Sequence, residues 1–138
     1  MRLAKDFTLE ELCVTNTGLQ NTPEDREQEK LLYLCQYILQ PIRDAWGVVI
    51  ITSGFRDWEV NKKIGGAINS QHLYGEAADF YPKQSDIDDV FKWCIKNLKF
   101  GQCIRESKNG KDWIHISLPR IGKNQEALIY ENGIYRRA

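Results

Sequence analysis

An α+β fold, with a mostly antiparallel sheet and helices flanking one side of it, is predicted by three features of the sequence. Apolar residues recur at helical spacing in residues 31–46 and 87–98. Short β-branched or alternating runs occupy residues 48–51, 100–106 and 112–118. Two Asn-Gly pairs, Asn109-Gly110 and Asn132-Gly133, separate extended runs, the placement a tight hairpin turn needs. The 138 residues suit a single domain over 1–138, because a chain of that size buries roughly 68–70% of its unfolded surface.

Each element has a local reason. Thr8 and Glu11 stand in capping-box register and open a short N-terminal helix, after which residues 16–21 read as loop. Thr22, followed by Pro23, Glu24 and Asp25, is the cap expected for a longer helix with Leu31, Leu34, Cys35, Ile38, Ile42 and Trp46 on its apolar stripe. Pro41 should kink or break that helix and Gly47 should end it. Residues 48–51 form a buried strand, and Asp57 caps a short helix that reaches Ile64 and stops at Gly65-Gly66. Ser85-Asp86 opens a further helix whose stripe of Ile87, Val90, Phe91, Cys94, Ile95 and Leu98 belongs to the core. Residues 100–106 and 112–118 pair as one hairpin. Residues 127–131 and 134–137 pair as another, a lid or sheet extension beyond Pro119.

Composition excludes several functions. Nineteen Lys plus Arg balance nineteen Asp plus Glu, so a nucleic-acid partner, which needs clustered basic charge, is not expected. The longest apolar stretch, residues 45–51, is far short of the roughly 20 residues a membrane helix needs, so no membrane insertion is expected. The first six residues begin no apolar signal core, which predicts a soluble protein, held in the cytoplasm until another protein releases it. Four cysteines lack any C-x-x-C pair, and Cys35, Cys94 and Cys103 are expected as buried free thiols.

The chain has two histidines, both in unusual settings. His72 lies in Ser70-Gln71-His72-Leu73-Tyr74-Gly75-Glu76-Ala77-Ala78-Asp79, where Gly75 permits a tight turn and brings His72 and Asp79 toward each other across one bend. His115 lies in the alternating run Trp113-Ile114-His115-Ile116-Ser117, so Trp113, His115 and Ser117 share a strand face. Two imidazoles and one carboxylate form a three-ligand zinc site that leaves a position open for water. On composition alone, the same residues read better as a core histidine, a surface histidine and a capping aspartate.

Ser70-x-His72-x-x-Gly75-x-Ala77-x-Asp79 followed by Trp113-x-His115 resembles the zinc-ligand signature of the peptidase M15 family. These are D-Ala-D-Ala carboxypeptidases and related peptidoglycan peptidases, whose fold is shared with the Hedgehog signalling domain. The resemblance runs from Phe7 to about Leu118. It includes Ser53-Gly54-Phe55-Arg56 with Asn61 and Gly65-Gly66, and Asn21-Thr22-Pro23 through Leu39-Gln40-Pro41-Ile42-Arg43. It implies His72, Asp79 and His115 as ligands of one zinc per chain, and Arg56 as a group holding substrate beside the scissile bond. A structural ion pair is the other reading of Arg56. Many such peptidases carry His-x-His where this chain has Trp113-x-His115, so proton transfer falls to a carboxylate.

Two acids compete for that role. Asp112 has the spacing from His115 found in the D-Ala-D-Ala dipeptidases and phage endolysins that this chain resembles, but an odd offset puts it on the opposite strand face. A two-residue turn at Asn109-Gly110 pairs Glu106 with Trp113, Ile104 with His115 and Gln102 with Ser117, which places Glu106 and Gln102 on the His115 face. Glu106 is therefore the favoured base; a longer loop would favour Asp112. Gln102 and Tyr74 are candidates for oxyanion or carboxylate contacts, and Ser70 for orienting His72 or touching substrate. No third histidine exists to activate Ser70 as a nucleophile.

The expected activity is zinc-dependent cleavage of a peptidoglycan stem peptide by metal-activated water, as a carboxypeptidase or an endopeptidase, in a monomer of phage or prophage type. The alternative is a non-catalytic zinc domain that binds peptidoglycan or a protein partner, as Hedgehog domains show for this fold.

Overall fold

The computed structural model describes residues 1–138 and begins with a small ribbon, β1 (Arg2–Ala4) and β2 (Phe7–Thr8), too short to leave a periodic signature. In α1 (Leu9–Leu12) the Thr8 hydroxyl accepts from the Glu11 N–H while the Glu11 carboxylate accepts from the Thr8 N–H, the expected capping box. α2 (Asp25–Leu34) starts later than expected. Its cap is Glu24 rather than Thr22, and Glu27 reaches back to the Glu24 N–H at 2.9 Å.

Pro41 does not break the helix that follows. A π-helical turn, Cys35–Leu39, joins α2 to α3 (Gln40–Trp46), so the wider turn absorbs the missing N–H and the ring of Pro41. The energetics favour continuity. Ile38, Leu39 and Ile42 are almost fully buried around the proline; at about 1.5–3 kcal/mol each, their burial exceeds the roughly 3 kcal/mol a helix-interior proline costs. Gly47, at φ +83°, ends α3 as expected.

β3 (Val49–Ser53) is followed by α4 (Trp58–Lys63), which Asp57 caps by accepting from the Val60 N–H, and by a 3-10 turn at Gln71–Tyr74. β4 (Ala77–Pro82) and α5 (Ile87–Asn97) come next, with Asp86 as the α5 cap. Two hairpins complete the chain: β5 (Gln102–Lys108) with β6 (Lys111–Ser117), and β7 (Glu126–Glu131) with β8 (Ile134–Arg137). Both turn on Asn-Gly pairs with φ between +49° and +89°, the left-handed backbone that such two-residue turns require.

The six-stranded sheet runs β3-β4-β6-β5-β7-β8, antiparallel except for the parallel pair β5–β7. The predicted α+β class therefore holds, and the register places Ile104 opposite His115 and Glu106 opposite Trp113. One sheet face contributes Ala78, Phe80, Cys103, Ile114 and Ile116 to a core shared with the long helix and α5. Alternate residues on the same strands, Asp79, Ile104, Glu106, Trp113 and His115, point the other way.

Cys35, Cys94 and Cys103 are buried free thiols, and burial pushes the Cys35 thiol up to about 12. No helix is long and apolar enough to cross a membrane.

Candidate active site

His72, Asp79 and His115 meet on the side of the sheet opposite α5, where α4 and the 3-10 turn border the cluster. The His72 Nε2 lies 3.3 Å from the His115 Nδ1 and 3.3 Å from an Asp79 carboxylate oxygen, which is itself 2.9 Å from the His115 Nδ1. Tetrahedral zinc with bonds of ~2.0–2.1 Å needs donor atoms ~3.3 Å apart, so this triangle of two nitrogens and one oxygen fits that ion. His115 and Asp79 face each other directly across β4–β6, and the 3-10 turn carries His72 over them.

Backbone groups set the orientation of His72. The Ser70 hydroxyl accepts from the His72 N–H at 3.2 Å and caps the 3-10 turn. Gly75 closes the turn at φ +73°, and a Cβ there would lie 2.5 Å from the Glu27 carbonyl of α2. The His72 Nδ1–H donates to the Gly54 carbonyl at 2.7 Å, leaving Nε2 with its lone pair toward the cluster. Gly54 is itself pressed against α1, where a Cβ would lie 2.2 Å from the Leu12 carbonyl oxygen. The N-terminal helix thus fixes the carbonyl that orients the imidazole.

The charge states suit cation binding. Burial disfavours the His72 imidazolium and lowers its pKa despite the Asp79 carboxylate beside it. Burial pushes the Asp79 carboxyl up, but the positive charge that His72 carries when protonated in acid, with hydrogen bonds from His115 and from that protonated ring, outweighs it and holds the group well below the usual carboxylate range. A neutral imidazole and an ionised carboxylate are the forms that ligate a metal.

Arg56 is braced from three sides. Its Nε donates to the Ser53 hydroxyl at 3.0 Å, one terminal nitrogen donates to the Asn61 carbonyl oxygen at 3.0 Å, and the other stands 3.5 Å from Asp79. Gly66 makes room for this brace: a Cβ there would overlap both Asn61 and Arg56. The guanidinium borders an open cleft of about 800 Å³ that also touches Val14, Val60, Asp79 and Trp113.

The two acids differ sharply. Glu106 lies on the cluster side and accepts from the Trp113 indole N–H at 2.9 Å. Burial, reinforced by the Asp79 charge, raises its pKa above the ordinary glutamate value against the opposing pull of His115, Trp113 and Arg56. Asp112 edges the cleft but turns to the Ser107 hydroxyl at 2.7 Å and to Arg105 at 3.3 Å, and a hydrogen bond from Ser107 lowers its pKa. Arg105 also holds Asp88 of α5. Asp112 thus belongs to an ion-pair group that ties the hairpin to that helix.

Two of the sequence candidates stand apart from the cluster. Gln102 shares the expected face, but its amide donates to Glu126 at 2.6 Å, because β7 runs beside β5 and brings Glu126 into register. Tyr74 lies under the Arg120 guanidinium, 5.0 Å from its ring centre. Sequence reasoning missed the Gly54 carbonyl and the role of Trp113, whose indole holds Glu106. An indole N–H directly across a strand pair from a carboxylate was the signal available.

Two imidazoles and a carboxylate beside an acid of raised pKa form a constellation that suits metal-assisted hydrolysis. The chain belongs to the peptidase M15 family, whose model matches residues 5–117. Over 43 residues it is 46% identical to the zinc D-Ala-D-Ala carboxypeptidase of Streptomyces albus G. That stretch is 30% of this chain and 17% of the relative's length.

Proposed function

We propose that this peptidase is zinc-dependent and cuts peptidoglycan stem peptides, as a D-Ala-D-Ala carboxypeptidase or as an endopeptidase. The observation that carries the reading is the triangle of His72, Asp79 and His115 donor atoms with Glu106 on the same face. His72 Nε2, His115 Nδ1 and an Asp79 oxygen would hold one zinc per chain. Bound there, zinc supplies a Lewis acid that polarises a carbonyl and brings the pKa of water to about 7.

Glu106 is the base. One carboxylate oxygen is held by Trp113, which leaves the other free to receive a proton from the attacking water. The same oxygen returns the proton to the amide nitrogen as the C–N bond breaks, so the amine leaves neutral. Arg56, braced by Ser53 and Asn61, offers its remaining N–H groups to a substrate carboxylate or carbonyl in the cleft. Ser70 acts on substrate only through the orientation it gives His72.

Metal content by elemental analysis, paired with mass spectrometry of purified peptidoglycan and a D-Ala-D-Ala stem peptide, tests the reading. One zinc per chain and a chelator-sensitive cut support it, and the mass of the product identifies the bond. Zinc without cleavage indicates a binding domain. No zinc after reconstitution removes the ligand assignment.

A further inference from the structure

The family match ends at Ser117, yet the sheet continues past it. Because registered residues on neighbouring strands point to the same side, the β7–β8 hairpin prolongs the face that carries the metal cluster. One row across the sheet reads Asp79, His115, Ile104, Leu128, Arg137. The adjacent row reads Trp113, Glu106, Tyr130, Tyr135. Leu128 and Tyr130 are half-buried, Tyr135 is 56% exposed, and the two tyrosine rings pack 4.6 Å apart beside Glu106.

Arg137, at the end of the first row, is exposed and has no ion-pair or side-chain hydrogen-bond partner, whereas Arg136 on the opposite face is tied to Glu131 at 2.9 Å. Ile104 is buried and Glu126, which accepts from the Gln102 amide, shares this face, so the exposed surface runs from Glu106 over Tyr130 and Tyr135, beside Leu128, to a free guanidinium. Resting on the peptidase reading above, we infer that this face of β7 and β8 is a substrate ledge that binds an extended acidic peptide, with Leu128, Tyr130 and Tyr135 under the chain and Arg137 meeting a carboxylate. Three strand spacings separate His115 from Arg137. At about 4.8 Å per spacing the span is about 14 Å, which an extended chain of ~3.3 Å per residue crosses in about four residues. A sugar chain would also use the tyrosine faces, but the cation at the far end selects for a carboxylate.

Two series of synthetic stem-peptide analogues test the ledge, one lengthened on each side of the scissile bond, with the distal residue as Glu or Gln. In one series kcat/KM should rise until about four residues are present, and Glu should be preferred over Gln at that position by about three- to fivefold, the range of an exposed ion pair. Arg137→Ala should reduce that preference to about one. Tyr135→Ala should raise KM for the long peptide at least fivefold more than for the short one. Melting temperature and zinc content would show whether Tyr135→Ala keeps its fold, while Arg137→Ala removes no intramolecular ion pair or side-chain hydrogen bond.

Flat length dependence in both series, or a Glu preference that survives Arg137→Ala, would overturn the ledge. So would competition by a peptide-free chitooligosaccharide that Tyr135→Ala abolishes. If no peptide is cut, the proposed function fails. Titration of the long Glu and Gln peptides against wild type and Arg137→Ala then decides the ledge by itself: a Glu preference lost in the variant supports it, and equal binding overturns it.

Discussion

The two faces of β6 divide stability from chemistry within a single strand. Ile114 and Ile116 are fully buried beneath the helices, whereas Trp113 and His115, one residue out of phase, face the cleft and the other members of the cluster. β5 repeats the division, with Cys103 in the core and Glu106 desolvated on the open face. An apolar face gains free energy from every side chain it hides. The open face instead holds an ionised carboxylate, two imidazoles, a braced guanidinium and an acid of raised pKa close together, an arrangement that favours a cation more than it favours folding. Substitutions on the two faces should therefore fail in different assays.

The largest separation is expected at Glu106 and Phe80. Glu106→Gln should lower turnover by about 10²–10⁴-fold while zinc content stays at the wild-type value, since a general base contributes in that range. Its stability should stay level or increase at neutral pH. With a folded-state pKa above the unfolded one, Glu106 binds more protons in the folded state, so stability falls as pH rises through that window, and the glutamine removes the loss. Denaturant melts of both proteins from below the ordinary glutamate range up to neutral pH check the sign. Phe80→Ala, on the helix-covered face of β4, should instead cost about 3–5 kcal/mol of stability. A Phe80→Ala protein as stable as wild type would remove the distinction between the faces.

A second pair reads the orientation of the cluster. Gly54→Ala drives a Cβ into the Leu12 backbone and displaces the carbonyl that accepts from His72, so zinc affinity should fall about 10–100-fold. His72, Asp79 and His115 themselves remain in this variant. Competition with a chromophoric chelator gives the affinity, and an unchanged value would mean that the Gly54 carbonyl does not orient the imidazole.

Much of this division was legible beforehand, for identifiable reasons. Asn109-Gly110 admits a single tight turn, which sets the β5–β6 register and hence which acid shares a face with His115. β4 was not legible as a strand, because residues 77–82 contain no β-branched side chain and owe their extended form to β3 and β6 on either side. The continuous helix through Pro41 also escaped sequence reasoning, since the π turn that admits it is stabilised by tertiary burial of Ile38, Leu39 and Ile42. Gln102 shows the limit of pairwise register. Its face was right, but the parallel arrival of β7, joined to β6 by no hairpin signal, gave its amide another partner.

Asp112 supplies the smallest expected effect and the finest test of the comparison. It shares β6 with His115, yet its carboxylate serves the Arg105–Asp88 group that links the hairpin to α5. Its lowered pKa means that its contribution is complete above the ordinary aspartate range and is lost as pH falls through the depressed value. Because the side chain is 51% exposed, solvent screens the pair and Asp112→Asn should cost less than about 1 kcal/mol, and that only above the acid range. Turnover should change by less than about threefold, since the asparagine still accepts from Ser107 and the proposed mechanism passes no proton through Asp112. A loss of 10²-fold or more in Asp112→Asn with a small effect in Glu106→Gln would exchange the two roles. The base would then be the acid at the cleft edge, and Trp113 would be holding Glu106 for a purpose other than proton transfer.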